Sequence, residues 1–248
     1  QWHRNDYLTG WTPTSYNSVQ LNDADGVAGA YAAFHSTGAA SGSLGSLVSP
    51  LLSFAGYPDH KLLSFYLGNS SGADVVNVYL STDGGLTYGS ALATYTSGVN
   101  AFNKAFRRVA LDLGTTTSST VKIKITATAD AGFSDIGLDN FQVVNRPLTP
   151  LSGTYTINNT LPDAGTNFAS FTEAFSLLNL AGVGGPTTFR VANGQTFTEQ
   201  TPPLTVSGTA AAPLLFQEAT PSASLADNPT ITTASNETGA LVLLSGAD

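Results

Sequence analysis

No cysteine and no methionine occur in the 248 residues, and only 10% of them are charged. Without thiols there is neither a disulfide framework nor a thiolate metal site. A cysteine-free chain of secreted type is ordinary for bacteria and unusual for eukaryotes, so composition leans towards a bacterial surface or secreted protein. Without methionine, residue 1 is not a translation start, and the expectation is a mature or trimmed fragment whose signal peptide is gone. Charge falls well under the roughly 25% of ordinary soluble domains. The chain is nevertheless 42% hydrophobic, and disorder couples low hydrophobicity to high charge, so this is a folded sequence. Basic residues are few, 9 against 17 acidic ones for a formal net charge of −8, which argues against nucleic acid and anionic membrane surfaces as partners. No apolar run approaches the roughly 20 residues of a membrane span, so no membrane insertion is expected. The three histidines are far apart, and no two share a metal-ligand spacing.

Ser, Thr, Gly and Ala fill the polar and small positions instead. From Val27 to Val144 short strand-like runs recur between turn residues: VAGAYAAF, HKLLSFYLG, DVVNVYLSTDGG, FRRVALDLG, TVKIKITATA and DIGLDNFQVV. Their period-2 alternation and spacing predict an antiparallel sandwich. Asp-Gly within STDGG (Ser81–Gly85) predicts a tight hairpin. VKIKITAT predicts Lys122 and Lys124 outward with Val121, Ile123 and Ile125 inward. One run breaks its own rule. In SDIGLDNFQVV, Ile136 and Leu138 alternate, Asp139 and Asn140 interrupt, and the apolar positions resume one residue out of phase at Phe141 and Val143. A continuous strand needs a bulge there.

NRPLTPLSG (Asn145–Gly153) predicts a boundary, giving a sandwich over 1–146, a linker over 147–152 and a second part over 153–248. In that second part SFTEAFSLLNLAGVGG predicts a helix. Ser170 and Glu173 form a capping box, Gly182 is the stop, and Phe171, Ala174, Phe175, Leu178 and Ala181 make one apolar stripe. Short strands follow every 12–16 residues without tight hairpin signals, the rhythm of a parallel coil in which each strand stacks on the one before. The helix would cap the first coil, and the solenoid is expected to continue beyond Asp248.

WHRND (Trp2–Asp6), LVSPLLSF, KLLSFYL, VNVYLSTDGGLTY and IGLDNFQVV together make residues 2–144 resemble the MAM-like, choice-of-anchor J type jelly-roll domains of large bacterial surface proteins. The family's opening strand and Gly-Trp turn, which precede the WHRND position, are missing here, so the jelly roll is expected to be incomplete at its N-terminus. GTYTI, the helix, GGPTTFRVANGQTFTEQ and ALVLLSGAD make residues 152–248 resemble the entry of a right-handed parallel β-helix, as in Bacteroidetes proteins exported by type IX secretion. The implied fold is all-β: a jelly-roll β-sandwich followed by the N-terminal coils of a parallel β-helix with one capping α-helix. The implied role is non-catalytic, adhesion or an extracellular stalk at the cell surface. The partner would be a host or environmental glycan or protein.

Related jelly rolls often hold one structural calcium through the last strand, and on that resemblance Asp139 is the residue carried over. Calcium takes 6–8 oxygens, and Asn22, Asp23 and Asp25 of NDADG are the further candidates. The competing reading has Asp139 simply accepting hydrogen bonds from the bulge backbone, as Asp does in turns. Trp2, Tyr7, Trp11 and Tyr16 lie close together and would suit a glycan platform, or else core and edge cover. That cluster carries the alternative reading, a carbohydrate-binding module of a secreted polysaccharide-active enzyme. An enzyme itself is not expected. Glycosidases need two carboxylates at a fixed separation, and Asp163, Glu173, Glu199 and Glu218 show no clustering along the chain. No G-x-S-x-G, H-E-x-x-H or P-loop occurs. A third reading follows from the missing strand: an open sandwich edge filled by another protein chain, as in an extracellular fibre or a secretion substrate held by a partner.

Overall fold

The computed structural model describes residues 2–5, 31–36, 39–69, 74–96, 106–130, 135–199, 201–232 and 240–245. The chain divides into two units, one of residues 1–107 and 111–143, the other of residues 108–110 and 144–248.

In chain order the first strands are β1 (Trp2–Asn5), β2 (Tyr31–His35), β3 (Leu44–Val48), β4 (His60–Asn69), β5 (Val75–Ser81), β6 (Ala93–Tyr95), β7 (Phe106–Asp112), β8 (Lys122–Thr128) and β9 (Asp135–Arg146). They form two sheets, ordered β1-β2-β9-β4-β7 and β3-β8-β5-β6. The pairings β1–β2, β2–β9, β3–β8, β5–β6 and β5–β8 are all antiparallel. The sandwich expectation is met. Alternation sends Val76 and Val78 of β5 and Ile123, Ile125 and Ala127 of β8 into the interior. From the other sheet Phe65 meets them, its ring edge-on to Tyr95 at 6.4 Å. Lys122 and Lys124 face outward as the pattern requires, and the Lys124 ammonium lies over the rings of Tyr79 and Tyr88, 4.8 and 3.9 Å from their centroids.

The hairpin expectation at Asp83-Gly84 is corrected. β5 pairs with β6, but residues 82–92 intervene, far more than a two-residue turn. The Asp83 carboxylate takes the N–H and hydroxyl of Thr87 and the hydroxyl of Ser81, at 3.0, 2.5 and 2.6 Å. Those bonds, the Ser81 one foremost, hold its pKa well below the usual carboxylate range. Asp-Gly therefore organises a wide loop, because the side chain competes for the backbone donors that a tight turn would use.

Further along lie β10 (Leu151–Ile157), β11 (Asn167–Phe168), α1 (Phe171–Ala181), β12 (Val183–Val191), β13 (Thr196–Thr198), β14 (Leu214–Glu218) and β15 (Thr230–Thr232). These strands make two sheets, β11-β10-β12-β14 and β13-β15, and every pairing in them is parallel. Register places Tyr155, Phe189 and Phe216 side by side on β10, β12 and β14. Their rings stack at 5.4 and 4.8 Å. The helix forms where capping chemistry puts it. Ser170 Oγ accepts the Glu173 N–H at 3.1 Å and donates to the Glu173 carboxylate, while Gly182, at φ 74°, closes the last turn onto the Leu178 carbonyl. Phe171, Ala174, Phe175, Leu177 and Leu178 are buried. Among the described residues no helix is long and apolar enough to cross a membrane.

Candidate functional site

The slip in β9 is present, and its cause is visible. β9 pairs with β2 through Ile136, Gly137 and Leu138. Asn140 then takes φ 49°, the only positive φ of a non-glycine residue among those described. That left-handed conformation suits Asn better than most side chains. Two residues thus stand between Leu138 and Phe141 where an undisturbed strand has one between inward positions. Both Leu138 and Phe141 line the same cleft as a result. The Phe141 ring stacks on the fully buried Phe65 ring at 5.7 Å while staying 45% exposed.

Asp139 sits at the bend. Its Oδ1 accepts the Asn140 N–H at 2.9 Å, the turn chemistry of the competing reading. Its Oδ2 is buried and has no hydrogen-bond partner among the described residues. An unpaired buried carboxylate oxygen is costly, because it has lost water without gaining a donor. The cleft it borders has a volume of about 320 Å³, walled chiefly by Leu47, Val48, Ile123, Ile125 and Leu138, with Ser49 and Asn140 the other polar side chains.

A calcium shell needs 6–8 oxygens. Among the described residues lining the cleft, Ser49 and Asn140 carry the other side-chain oxygens. Asn22, Asp23 and Asp25 lie outside the described residues. Trp2 belongs to β1, whereas Tyr7, Trp11 and Tyr16 also fall outside the described residues.

The acidic residues need a correction. Asp163, Glu173 and Glu199 show no clustering along the chain, yet all three are buried around the N-terminus of α1. Glu199 takes the N–H groups of Phe171 and Thr172 at 2.9 and 2.8 Å and the Thr172 hydroxyl at 2.6 Å. It satisfies donors that a helix start leaves open. Glu173 accepts from Arg108 at 2.5 Å, and Asp163 accepts from Arg146. Arg146 also donates to the carbonyls of Gly165 and Asn167, at 2.5 and 2.6 Å, and lies over the Phe168 ring. Burial pushes Glu199 up in pKa, and burial with the Glu173 charge pushes Asp163 up to about 6 against the pull of Arg146. These acids are tied to arginines and backbone donors, which makes them a fastening of the helix start. Glu218 stands apart, accepting from Asn193 and the Ser222 N–H. Sequence spacing could not reveal the cluster, since its members come from the connection before β11, the first turn of α1 and the residue after β13.

No protein-family model matches the chain, and no curated protein is similar to it. Among solved structures it is similar to the K1 cleaved adhesin domain of Lys-gingipain from Porphyromonas gingivalis W83, at 16% identity and TM-score 0.41, over 58% of this chain and 90% of that one. It is also similar to TmCBM61 solved with β-1,4-galactotriose, at 12% identity and TM-score 0.34, over 58% and 88%. A family 16 carbohydrate-binding module matches at 15% identity and TM-score 0.29, over 55% and 92%. Likeness at this level assigns no ligand and no role.

Proposed function

We propose that this chain is a non-catalytic adhesion module of a secreted bacterial surface protein, with the sandwich as the binding unit and the parallel sheets as the entry to a right-handed β-helix stalk. The cleft beside Asp139 carries the reading. It is concave, mostly apolar and offers a single carboxylate, a composition suited to holding a group and not to cleaving a glycosidic bond, which takes two acids. The buried acids Asp74, Asp163, Glu173 and Glu199 are engaged by arginines, hydroxyls and backbone donors. Parallel pairing with aligned Tyr155, Phe189 and Phe216 supports the coil reading, since stacked coils repeat the same side chain on the same face. Scarce charge and absent cysteine fit an extracellular bacterial protein.

The test presents the chain to immobilised glycans and matrix proteins, and in parallel incubates it with polysaccharides while reducing ends are assayed. Retention on a surface without release of new reducing ends is expected. Hydrolysis of any polysaccharide would overturn the reading, as would failure to bind every surface tried.

A further inference from the structure

We propose that the cleft at the β9 kink is a docking site for a lysine or arginine side chain of another polypeptide, laid as an extended strand along the edge of β3. The inference rests on the adhesion reading and names the partner's chemistry. At about 320 Å³ the cleft is at the small end of ligand sites, which run from about 300 to 1,000 Å³. That is ample room for one long side chain. Its walls, Leu47, Ile123, Ile125 and Leu138 among them, match an aliphatic stem, with Asp139, Ser49 and Asn140 the polar side chains. Among the described residues its one buried polar side-chain atom without a hydrogen bond is Asp139 Oδ2, which wants a donor and, best of all, a cation. Lysine and arginine join these properties in one side chain, an apolar stem with a charged head. Phe141, stacked on Phe65 and still 45% exposed, adds a ring at the same cleft for the cation to lie against. The net charge of −8 favours approach of a basic partner.

The edge supplies the rail. Among the described residues β3 ends its sheet. The Ala129 N–H bonds the Ser43 carbonyl and the Ser49 N–H bonds the Ile123 carbonyl, so by antiparallel alternation the backbone groups of Leu44, Ser46 and Val48 turn to the outer edge. Leu44 and Val48 are 64% and 48% exposed there. A strand added to such an edge gains main-chain hydrogen bonds, with a side-chain pocket supplying the specificity.

The experiment follows the methyl signals of Ile123, Ile125 and Leu138 by NMR in the full chain. It titrates Nα-acetyl-lysine methylamide, its norleucine counterpart, which keeps the stem and lacks the charge, and calcium chloride. Lysine is expected to shift these signals and to bind at least tenfold more tightly than norleucine, with the preference lost in Asp139→Asn and weakened in the exposed Phe141→Ser. Asp139→Asn keeps an oxygen for the Asn140 N–H, and a thermal melt confirms that it folds. A Thr-Val-Lys-Val-Thr peptide should bind more tightly than the single residue, and N-methylation of alternate amides should remove that gain. Equal binding of the two amino acids would overturn the proposal, as would an unchanged preference in Asp139→Asn. Displacement of the lysine probe by micromolar calcium would overturn it too, making Asp139 a metal ligand. Surface adhesion that survives in Asp139→Asn while lysine binding is absent refutes the cleft and spares the adhesion reading. Lysine binding without adhesion to any surface does the reverse.

Discussion

Replacing Asp163 by Asn tests whether the acid cluster at the start of α1 is held under electrostatic load. Asp163 is 2% exposed. Burial raises its pKa from 3.8 to about 6, helped by the Glu173 charge and opposed by Arg146. In the folded state it therefore binds a proton more readily than in the unfolded chain. Its contribution to stability is complete below about pH 3.8 and is lost as pH rises through about 6. At about 1.36 kcal/mol per pH decade, the step from 3.8 to about 6 is on the order of 3 kcal/mol. Asparagine preserves the shape and keeps an oxygen for the Arg146 guanidinium but carries no charge. Urea unfolding of the full chain, followed by circular dichroism at 222 nm to weight the helix, should show wild type losing stability between pH 4 and 7. Asp163→Asn should lose less over that range and should be the more stable protein at pH 8. Glu199, also raised by burial, leaves a residual slope of the same sign. Tryptophan fluorescence is the wrong probe, since Trp2 and Trp11 belong to the first unit. A flat wild-type profile from pH 4 to 7, or an Asp163→Asn variant less stable than wild type at pH 8, would refute the reasoning.

Two further outcomes follow from the first unit. Lys61 is 1% exposed, and its ammonium donates to the carbonyls of Tyr57, Asp59 and Thr116, the latter two at 2.7 and 2.9 Å. Lys61→Met keeps the stem and strands three carbonyls, so thermal and urea melts should show a loss of about 2–4 kcal/mol; a loss under about 0.5 kcal/mol would mean that water reaches those carbonyls. At Asn140, whose φ is 49°, β-branched Val should cost about 1–2 kcal/mol while Gly is tolerated within about 0.5 kcal/mol; equal melting of the Val and Gly variants would contradict a left-handed residue at the kink.

Local signals in the sequence were read well where a single residue decides the outcome. Ser170, Glu173 and Gly182 mark the helix because capping is chemistry within one turn. Lys122 and Lys124 alternate with buried isoleucines because one sheet face is wet. The slip after Leu138 pointed to the kink, since strand period is fixed at 2 and any defect shows in the pattern. What escaped is what depends on distant partners. The Asp-Gly signal at residues 83–84 failed because the side chain found Ser81 and Thr87. The meeting of Asp163, Glu173 and Glu199 was hidden because it is made by side-chain bonds between stretches 10 or more residues apart, from Glu199 to the start of α1 and from Arg146 and Arg108 to the two other acids. The cleft itself was illegible, since its walls come from β2, β3, β8 and β9 and no stretch of chain contains them together.

The contrast between buried charges separates structure from function in this fold. Lys61 has three carbonyls, Glu199 has two N–H groups and a hydroxyl, and Arg146 has a carboxylate, two carbonyls and a ring. Each is surrounded by its own partners, as a charge that serves the fold must be. Asp163 Oδ2 and Arg146 Nε are also buried without a hydrogen bond, but both belong to residues already joined in an ion pair. Asp139 differs. One of its oxygens answers the kink, and the other lies beside a cleft without a hydrogen bond from the described residues. A fold that only needed the bend could use Asn at 139, which accepts the same N–H without a buried charge. An acid at 139 leaves an oxygen open to a donor beyond the described residues, and the docking proposal stands on that oxygen.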